Sequence, residues 1–177
     1  MNWGATRDEM AAHYPVDDVF PDAACDLFRA VGTTAAPESL FRWLCQLRVA
    51  PYSYDLIDNL GRRSPRVLTP GLERLRTGDR MARIFRLVSF APGEHVTMRL
   101  DDRRGHAMFG PVAITYAIGP GRLIAKVRFG QPGDGPLRVA RRRALAWGDL
   151  VMMRRQLLTL RDLAERDGPV GSPGAAA

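Results

Sequence analysis

Apolar and polar residues alternate along much of the second half of the chain, a pattern typical of β-strands with one buried face. The clearest case is Arg122 to Phe129, where every second residue is apolar and three basic residues lie on the opposite face. Short turn sequences separate the segments and favour antiparallel hairpins. The predicted strands are Ala24 to Thr33, Arg80 to Ala91, His95 to Leu100, about Ala107 to Ile118, and Arg122 to Phe129.

A periodicity near 3.6 residues predicts helices in the remaining segments. Thr6 and Glu9 have the spacing of a capping box at the start of the first helix, and Pro37 occupies the first position of the second. Gly61 favours a left-handed cap after the third. The predicted helices are Arg7 to His13, Pro37 to Arg48, about Asp55 to Asn59, and about Leu137 to Arg166.

The last predicted helix is long enough to cross the whole molecule. At 1.5 Å per residue it measures about 43 Å, whereas a globule of this size is about 38 Å across. Its expected inward stripe contains Val139, Trp147, Leu150, Val151, Leu157 and Leu158, with Arg154 as a further candidate.

The chain is expected to form one domain with short appendages. Residues 1–23 are predicted to form an N-terminal helix and then an extended strap from Pro15 to Ala23, because Pro15 ends the helix. Residues 24–166 carry the other predicted strands and helices. Residues 167–177, rich in Gly, Pro and Ala, are predicted to be a disordered tail.

The composition is that of an ordinary folded protein. Of its 177 residues, 46% are hydrophobic and 25% are charged, which excludes disordered and fibrous classes. Two cysteines cannot form a disulfide framework. Because we find neither a secretory signal nor an apolar run of roughly 18 residues, we expect a soluble, cytoplasmic protein. Abundant Arg with a single Lys is typical of high-GC bacterial genomes.

The order of elements is one strand, two helices, a run of antiparallel strands and one long helix, which is typical of an α+β helix-grip fold. Several residue runs also resemble the polyketide cyclase/START-like (SRPBCC) superfamily, and in particular a bacterial subgroup with Trp-Leu-x-Gln and Tyr-Ser-Tyr-Asp motifs. These runs are Phe41 to Leu47, Tyr52 to Gly61, Ser64 and Pro65, Gly78 and Asp79, and Met152 to Leu157. The resemblance covers about residues 24–166.

The resemblance implies a curved antiparallel sheet wrapped around the long C-terminal helix, with two short helices after the first strand. It also implies an apolar cavity between helix and sheet that binds lipids, sterols, polyketides or hydrophobic hormones. Some members of the superfamily are cyclases, aromatases or dehydrases. Because one fold supports all of these functions, the resemblance is specific for fold rather than for activity.

We therefore expect a small hydrophobic ligand of lipid, polyketide or aromatic type, gated by the segment Trp43 to Asn59. The expected lining residues are Trp43, Gln46, Tyr52, Tyr54, Arg83, Phe85, Met98, Tyr116, Leu123, Val127, Trp147 and Val151. The same side chains could equally fill a closed core. Arg83 and Arg86 fall on opposite faces of their predicted strand. Either one of them points inward toward an acid or a ligand carboxylate, or both reach water at the sheet edge.

An alternative hypothesis is a cyclase/dehydrase-type enzyme, with Tyr54 and Asp55 as an acid/base pair at the cavity mouth. In the opposing interpretation, Asp55 caps the helix that follows and the tyrosines pack under the strap. A ligand-binding protein is the preferred hypothesis.

The net charge of +7 suggests a polyanionic partner at first. The densest basic cluster, Arg138–Arg143, lies at the start of the long helix without interleaved aromatic residues. A solvated helix face is therefore favoured over nucleic-acid or acidic-partner binding. His13, His95 and His106 lack metal-ligand spacing, and Gly130 to Gly135 lacks the phosphate-binding patterns. No metal or cofactor is predicted, and the oligomeric state stays open.

Overall fold

A six-stranded antiparallel sheet forms the centre of the molecule. The computed structural model describes residues 2–52, 63–130 and 136–168, and for residues 108, 109 and 136–151 it describes the backbone alone. The strands are β1 (Cys25–Gly32), β2 (Arg80–Met81), β3 (Phe85–Ala91), β4 (His95–Leu100), β5 (Val112–Gly119) and β6 (Arg122–Phe129). Their order is β1-β6-β5-β4-β3-β2, so the first strand pairs with the last and lies at one edge.

A long helix, α5 (Pro136–Asp167), follows the last strand and packs against β1 and against α3 (Pro37–Cys45). Its 32 residues span about 48 Å at 1.5 Å per residue. Buried side chains recur every three or four residues, as expected for one helical face; they include Met153, Gln156, Leu157, Thr159, Leu160, Leu163 and Ala164. The predicted α+β helix-grip fold is confirmed. We call the side of the sheet that faces α3 and α5 the inner face.

Helix α3 begins with Pro37 in its first turn, as predicted, where the missing N–H of proline breaks no helical hydrogen bond. The α-helix ends at Cys45, three residues before the predicted end, and a 3₁₀ turn over Gln46–Arg48 continues the helical path to Arg48. Its apolar face is buried against β4 and β5. The helix predicted for residues 55–59 lies outside the described residues.

The C-terminal end of α5 is tied to the loop after β1 and to α3. Glu165 Oε1 accepts hydrogen bonds from the N–H of Thr34 at 2.8 Å and from the hydroxyl of Thr33 at 3.0 Å. The hydroxyl of Ser39 donates to the Gly168 carbonyl at 2.8 Å. Beyond residue 168 the predicted tail lies outside the described part of the chain.

The predicted strand from Arg80 to Ala91 is wrong in its middle, where the chain turns between β2 and β3. Ala82 and Arg83 have positive φ angles of 41° and 70°. Residues other than glycine rarely adopt such angles. A sequence without Gly or Asn at these positions therefore gives no signal for this turn.

The strand predicted to begin at Ala107 is also wrong at its start, because Arg103–Phe109 form the helix α4. The Asp102 carboxylate caps this helix and accepts a hydrogen bond from the N–H of Gly105 at 2.7 Å. The segment interpreted from its composition as a hairpin turn therefore starts a helix, and β5 begins only at Val112.

Two short helices cover the other side of the sheet, which we call the outer face. In α1 (Arg7–Ala11) the predicted capping box is confirmed: the Glu9 N–H donates to Thr6 Oγ1 at 3.2 Å, and the Thr6 N–H donates to Glu9 Oε2 at 2.7 Å. The extended strap predicted for Pro15 to Ala23 is wrong, because Pro15–Val19 form the helix α2. Proline is favoured at the first helical position, so Pro15 begins a second helix.

A partly buried ion cluster of four residues links α2 to the outer face. The Lys126 Nζ lies 2.6 Å from Asp17 Oδ1 and 3.5 Å from Asp26 Oδ2. Arg128 reaches the same two carboxylates at 3.1 Å and 2.9 Å. Only 6% of the Lys126 side chain is exposed. The Lys126 ammonium therefore depends on these carboxylates in place of water.

The chain before α1 runs beside the outer edge of β1. The Trp3 N–H donates to the Phe28 carbonyl at 3.0 Å, and the Trp3 carbonyl accepts from the Ala30 N–H at 2.9 Å. Gly4 has a φ of 70°, and a Cβ there would lie 2.1 Å from the Ala30 oxygen, so this close approach requires glycine. Arg154, a predicted inward candidate on α5, is instead exposed and lies 4.9 Å from the centroid of the Trp3 ring.

Candidate ligand site

One hydrophobic cluster covers the inner face of the sheet and joins most of the predicted lining residues that the structure describes. Its members from the prediction are Trp43, Tyr52, Met98, Tyr116, Leu123 and Val127, with Phe85 partly buried against them. Alternate residues of neighbouring strands point to the same face, which is why the strand residues meet. Met153 and Leu157 join the cluster from α5. The structure thus brings these side chains together between the sheet and two helices.

A buried polar pair, Tyr116 and Gln156, lies within this apolar cluster. The Tyr116 hydroxyl donates to Gln156 Oε1 at 2.6 Å and lies 3.6 Å from the sulfur of Met153. The Gln156 Nε2 donates to the Pro51 carbonyl at 2.5 Å. The amide therefore connects β5, α5 and the segment after α3. Burying such groups costs free energy unless they are hydrogen-bonded, so the pair depends on these two bonds.

Gln156 is not among the predicted lining residues, although the sequence contains a signal for it. Met153, Leu157 and Leu160 lie at three- and four-residue spacing from it on one helical face. A search for apolar periodicity passes over a polar residue in that stripe. Its inward position is nevertheless what sets it apart from the exposed polar residues of the helix.

Trp43 and Tyr52 form an edge-to-face pair, with ring centroids 5.8 Å apart and ring planes at 84°. The Trp43 Nε1 donates to Asp167 Oδ2 at 3.0 Å, which connects α3 to the end of α5. Tyr52 has a φ of 56°, a backbone conformation that is rare for a large side chain. Both rings are held in place by contacts within the protein.

Gln46, a predicted polar anchor, is fully buried but bonded to a loop. Its Oε1 accepts from the Thr69 N–H at 2.9 Å, and its Nε2 donates to the Thr69 carbonyl at 3.3 Å. The side-chain amide therefore takes the place of a backbone partner for Thr69. These contacts support a structural role for Gln46, which holds the loop against the end of α3.

Neither arginine of the predicted strand points inward. Arg83 is exposed in the turn between β2 and β3, and Arg86 is exposed with its Nε 2.7 Å from Asp101 Oδ2. The prediction that Arg83 lines the site is therefore wrong, because both side chains reach water at the sheet edge. A fully buried arginine is found instead at Arg29 on β1, whose Nη1 donates to the Phe28 carbonyl at 2.8 Å.

Several predicted residues fall where their side chains are not described. Tyr54 and Asp55, the candidate acid/base pair, lie outside the described residues, and Trp147, Val151 and Arg138–Arg143 belong to the part of α5 given as backbone alone. Their roles stay predictions. Within residues 2–52, 63–130 and 136–168, no group of three or more His, Cys, Asp or Glu could hold a metal ion. No helix in the same ranges combines the length and apolar character of a membrane span.

Cys45 is expected to resist modification in the folded protein. Its side chain is fully buried in α3, and burial raises the pKa of the thiol to about 12, so almost no reactive thiolate forms near neutral pH. We expect a thiol-specific reagent at pH 8 to label the partly exposed Cys25 and to reach Cys45 only after unfolding. Peptide mapping by mass spectrometry checks this, and fast labelling of Cys45 in the folded state would contradict it.

No family model matches the sequence, and no curated protein matches it. Similar solved structures include the di-domain ARO/CYC StfQ from the steffimycin biosynthetic pathway, with 15% identity and a TM-score of 0.49 over 85% of this chain and 53% of that one. The chain thus spans about half the length of StfQ. A protein from Chromobacterium violaceum has 18% identity and a TM-score of 0.46, over 79% of this chain and 97% of that one.

A third similar structure, the Aha1 dimer from Colwellia psychrerythraea, has 11% identity and a TM-score of 0.33, over 73% of this chain and 98% of that one. At these identities and TM-scores the likeness supports no conclusion about this chain. The fold assignment rests on the strand order and the long helix described above.

Proposed function

We propose that the protein binds a small hydrophobic ligand between α5 and the inner face of the sheet, with the Tyr116–Gln156 pair as the polar end of the site. The observation that carries this proposal is the position of that pair. It lies inside an apolar cluster shared by the sheet and the long helix. Such an arrangement, mostly apolar with a few placed polar groups, is typical of small-molecule sites.

A polar contact is needed because apolar burial alone supports only weak binding. Burying about 300 Å² of ligand contributes roughly 7.5 kcal/mol at about 25 cal/mol per Å², and association costs at least about 4 kcal/mol. The remainder of about 3.5 kcal/mol corresponds to a dissociation constant in the millimolar range. One hydrogen bond to a buried partner improves the dissociation constant by roughly tenfold.

Binding without catalysis is the function we propose. The enzyme alternative depends on Tyr54 and Asp55, which lie outside the described residues. By contrast, Tyr116 and Gln156 have defined partners and are buried. A neutral phenol and a neutral amide suit recognition of a ligand, since neither readily removes a proton near neutral pH.

The Tyr116→Phe variant is expected to bind an apolar probe more weakly than the unaltered protein. Removing the hydroxyl leaves Gln156 Oε1 without its donor and frees the amide to rotate. We expect titration with Nile red to give one saturable site in the unaltered protein, and a dissociation constant about three- to tenfold higher in the variant.

Thr115→Val is the matched control for this measurement. Thr115 is the adjacent residue on β5 and is also fully buried, but its hydroxyl lies on the outer face, 2.7 Å from Thr97 Oγ1. The control loses a buried hydroxyl of the same strand and should keep the affinity for Nile red. Absence of saturable binding in the unaltered protein would overturn the proposed function.

A further inference from the structure

The side-chain amide of Gln156 has one hydrogen-bond donor more than the protein uses. A glutamine side chain carries two N–H donors and an oxygen with two acceptor positions. One donor is taken by the Pro51 carbonyl, and the oxygen accepts from Tyr116. Among the backbone and side-chain atoms that the structure describes, no second acceptor for Nε2 is present.

The orientation of this amide is fixed by its two partners. The Pro51 carbonyl can only accept a hydrogen bond, so the nitrogen of Gln156 must face it. Its oxygen then faces Tyr116, whose hydroxyl donates. Rotating the amide by 180° would set two oxygens against each other at the Pro51 side, so the second N–H is a donor in the observed arrangement.

This donor lies where water has little access. Gln156 is 6% exposed, and its neighbours Met153 and Leu157 on α5 belong to the apolar cluster. Buried N–H groups are almost always paired in folded proteins, with protein, ordered water or a ligand as the acceptor. Among the described atoms only the Pro51 carbonyl accepts from this amide, so its second N–H is open to an acceptor supplied by a ligand.

We propose that this second amide proton of Gln156 binds an oxygen of the ligand, and that Gln156 thereby selects neutral apolar molecules with a carbonyl, ether or hydroxyl oxygen over the corresponding hydrocarbons. The inference rests on the proposed function, since it names the class of ligand for the same site. A single neutral donor matches a neutral oxygen, because burying a carboxylate needs several donors or a charge. Tyr116 and Pro51 are positioning residues that hold the amide.

The test compares 9-fluorenone with fluorene, in which a CH₂ group stands in place of the carbonyl. Both are flat, apolar and nearly equal in size, and only fluorenone carries an acceptor. Competition against Nile red should show the unaltered protein binding fluorenone about three- to tenfold more tightly than fluorene. In Gln156→Met, which keeps the volume but lacks the donor, the affinity ratio should fall to about one.

Thr159→Val is the matched control for this ratio. Thr159 is a buried polar residue of the same helix, and its hydroxyl donates to the Arg155 carbonyl of α5 itself at 2.8 Å. This variant should keep the preference for fluorenone. Loss of the preference in both variants would overturn the assignment to Gln156.

A second measurement on the unaltered protein keeps the proposal testable if Gln156→Met does not fold. The carbonyl stretching frequency of bound 9-fluorenone should be lower than in hexane, because a hydrogen bond to the oxygen weakens the C=O bond. Equal affinities for the two probes, or a stretch at its hexane position, would overturn the role of Gln156 while leaving the binding site intact. Failure of both probes to bind would overturn the proposed function and this inference with it.

Discussion

The Trp43→Ala variant is expected to lose about 4 kcal/mol of unfolding free energy. Trp43 is 1% exposed in the main cluster, so truncation removes apolar burial and leaves a cavity. Its ring also packs against Tyr52, and its Nε1 bonds Asp167 at the end of α5. Urea denaturation followed by circular dichroism measures the loss.

A Trp43→Phe variant separates packing from the hydrogen bond. It keeps an aromatic ring but removes the N–H that reaches Asp167, so we expect a smaller loss of about 1–2 kcal/mol. If Trp43→Ala lost less than about 1 kcal/mol, the close packing of α3 against the end of α5 would be refuted.

Asp17→Ala is expected to cost about 3 kcal/mol of unfolding free energy, whereas Asp18→Ala should change it by less than about 0.5 kcal/mol. The two residues are neighbours on α2. Asp17 accepts a hydrogen bond from the Tyr14 N–H at 2.8 Å and contacts the buried Lys126. Asp18 is mostly exposed and contacts only the equally exposed His13 among the described residues. If Asp17→Ala and Asp18→Ala lowered the unfolding free energy equally, in thermal or in urea denaturation, the stabilising role of the ion cluster would be contradicted.

The ion pairs of Asp17 and Glu9 predict that the unfolding free energy decreases in acid. Burial acts to raise the pKa of Asp17, but the hydrogen bond and charge of Lys126, the Tyr14 amide and Arg128 outweigh it, and the pKa is held below its ordinary value. The hydrogen bond from Arg122 likewise lowers the pKa of Glu9. Both carboxylates take up protons more readily in the unfolded chain than in the folded one.

The stabilisation is therefore complete above about pH 5 and is lost as the pH falls through the lowered pKa values of the folded state, below about pH 4. In urea titrations at a series of pH values, the unfolding free energy of Asp17→Ala should fall less in acid than that of the unaltered protein. If the unfolding free energy of Asp17→Ala fell in acid as much as that of the unaltered protein, other groups would be responsible for the loss.

The fold could be predicted from the sequence where turn residues flank a clear pattern. The strands His95–Leu100 and Arg122–Phe129 match their predicted bounds because Gly and Pro mark the turns beside them. Some predictions were wrong where one residue is compatible with two different local structures. Pro15 can end one helix or begin the next, and Asp102 can belong to a turn or cap a helix.

The site could be predicted only as far as apolar alternation reaches. Tyr116, Leu123 and Val127 were found because strand period places them on one face. Arg29 was missed although Leu27 and Val31, two residues to either side, share its face, because a charged residue is rarely buried. Gln156 was not predicted because glutamine, although uncharged, is also mostly exposed in folded proteins. A buried polar residue can be predicted only if its position on the apolar face of a helix or strand is given more weight than its residue type.

The residues before α1 also cover the edge of β1, which could otherwise pair with another chain. An uncovered edge strand presents backbone N–H and C=O groups that can pair with the same strand of another molecule. In β1 these groups of Phe28 and Ala30 are already occupied by Trp3. A chain shortened past Gly4 would expose this edge. Its solubility would then be limited by β-pairing between molecules, despite the repulsion between their positive charges.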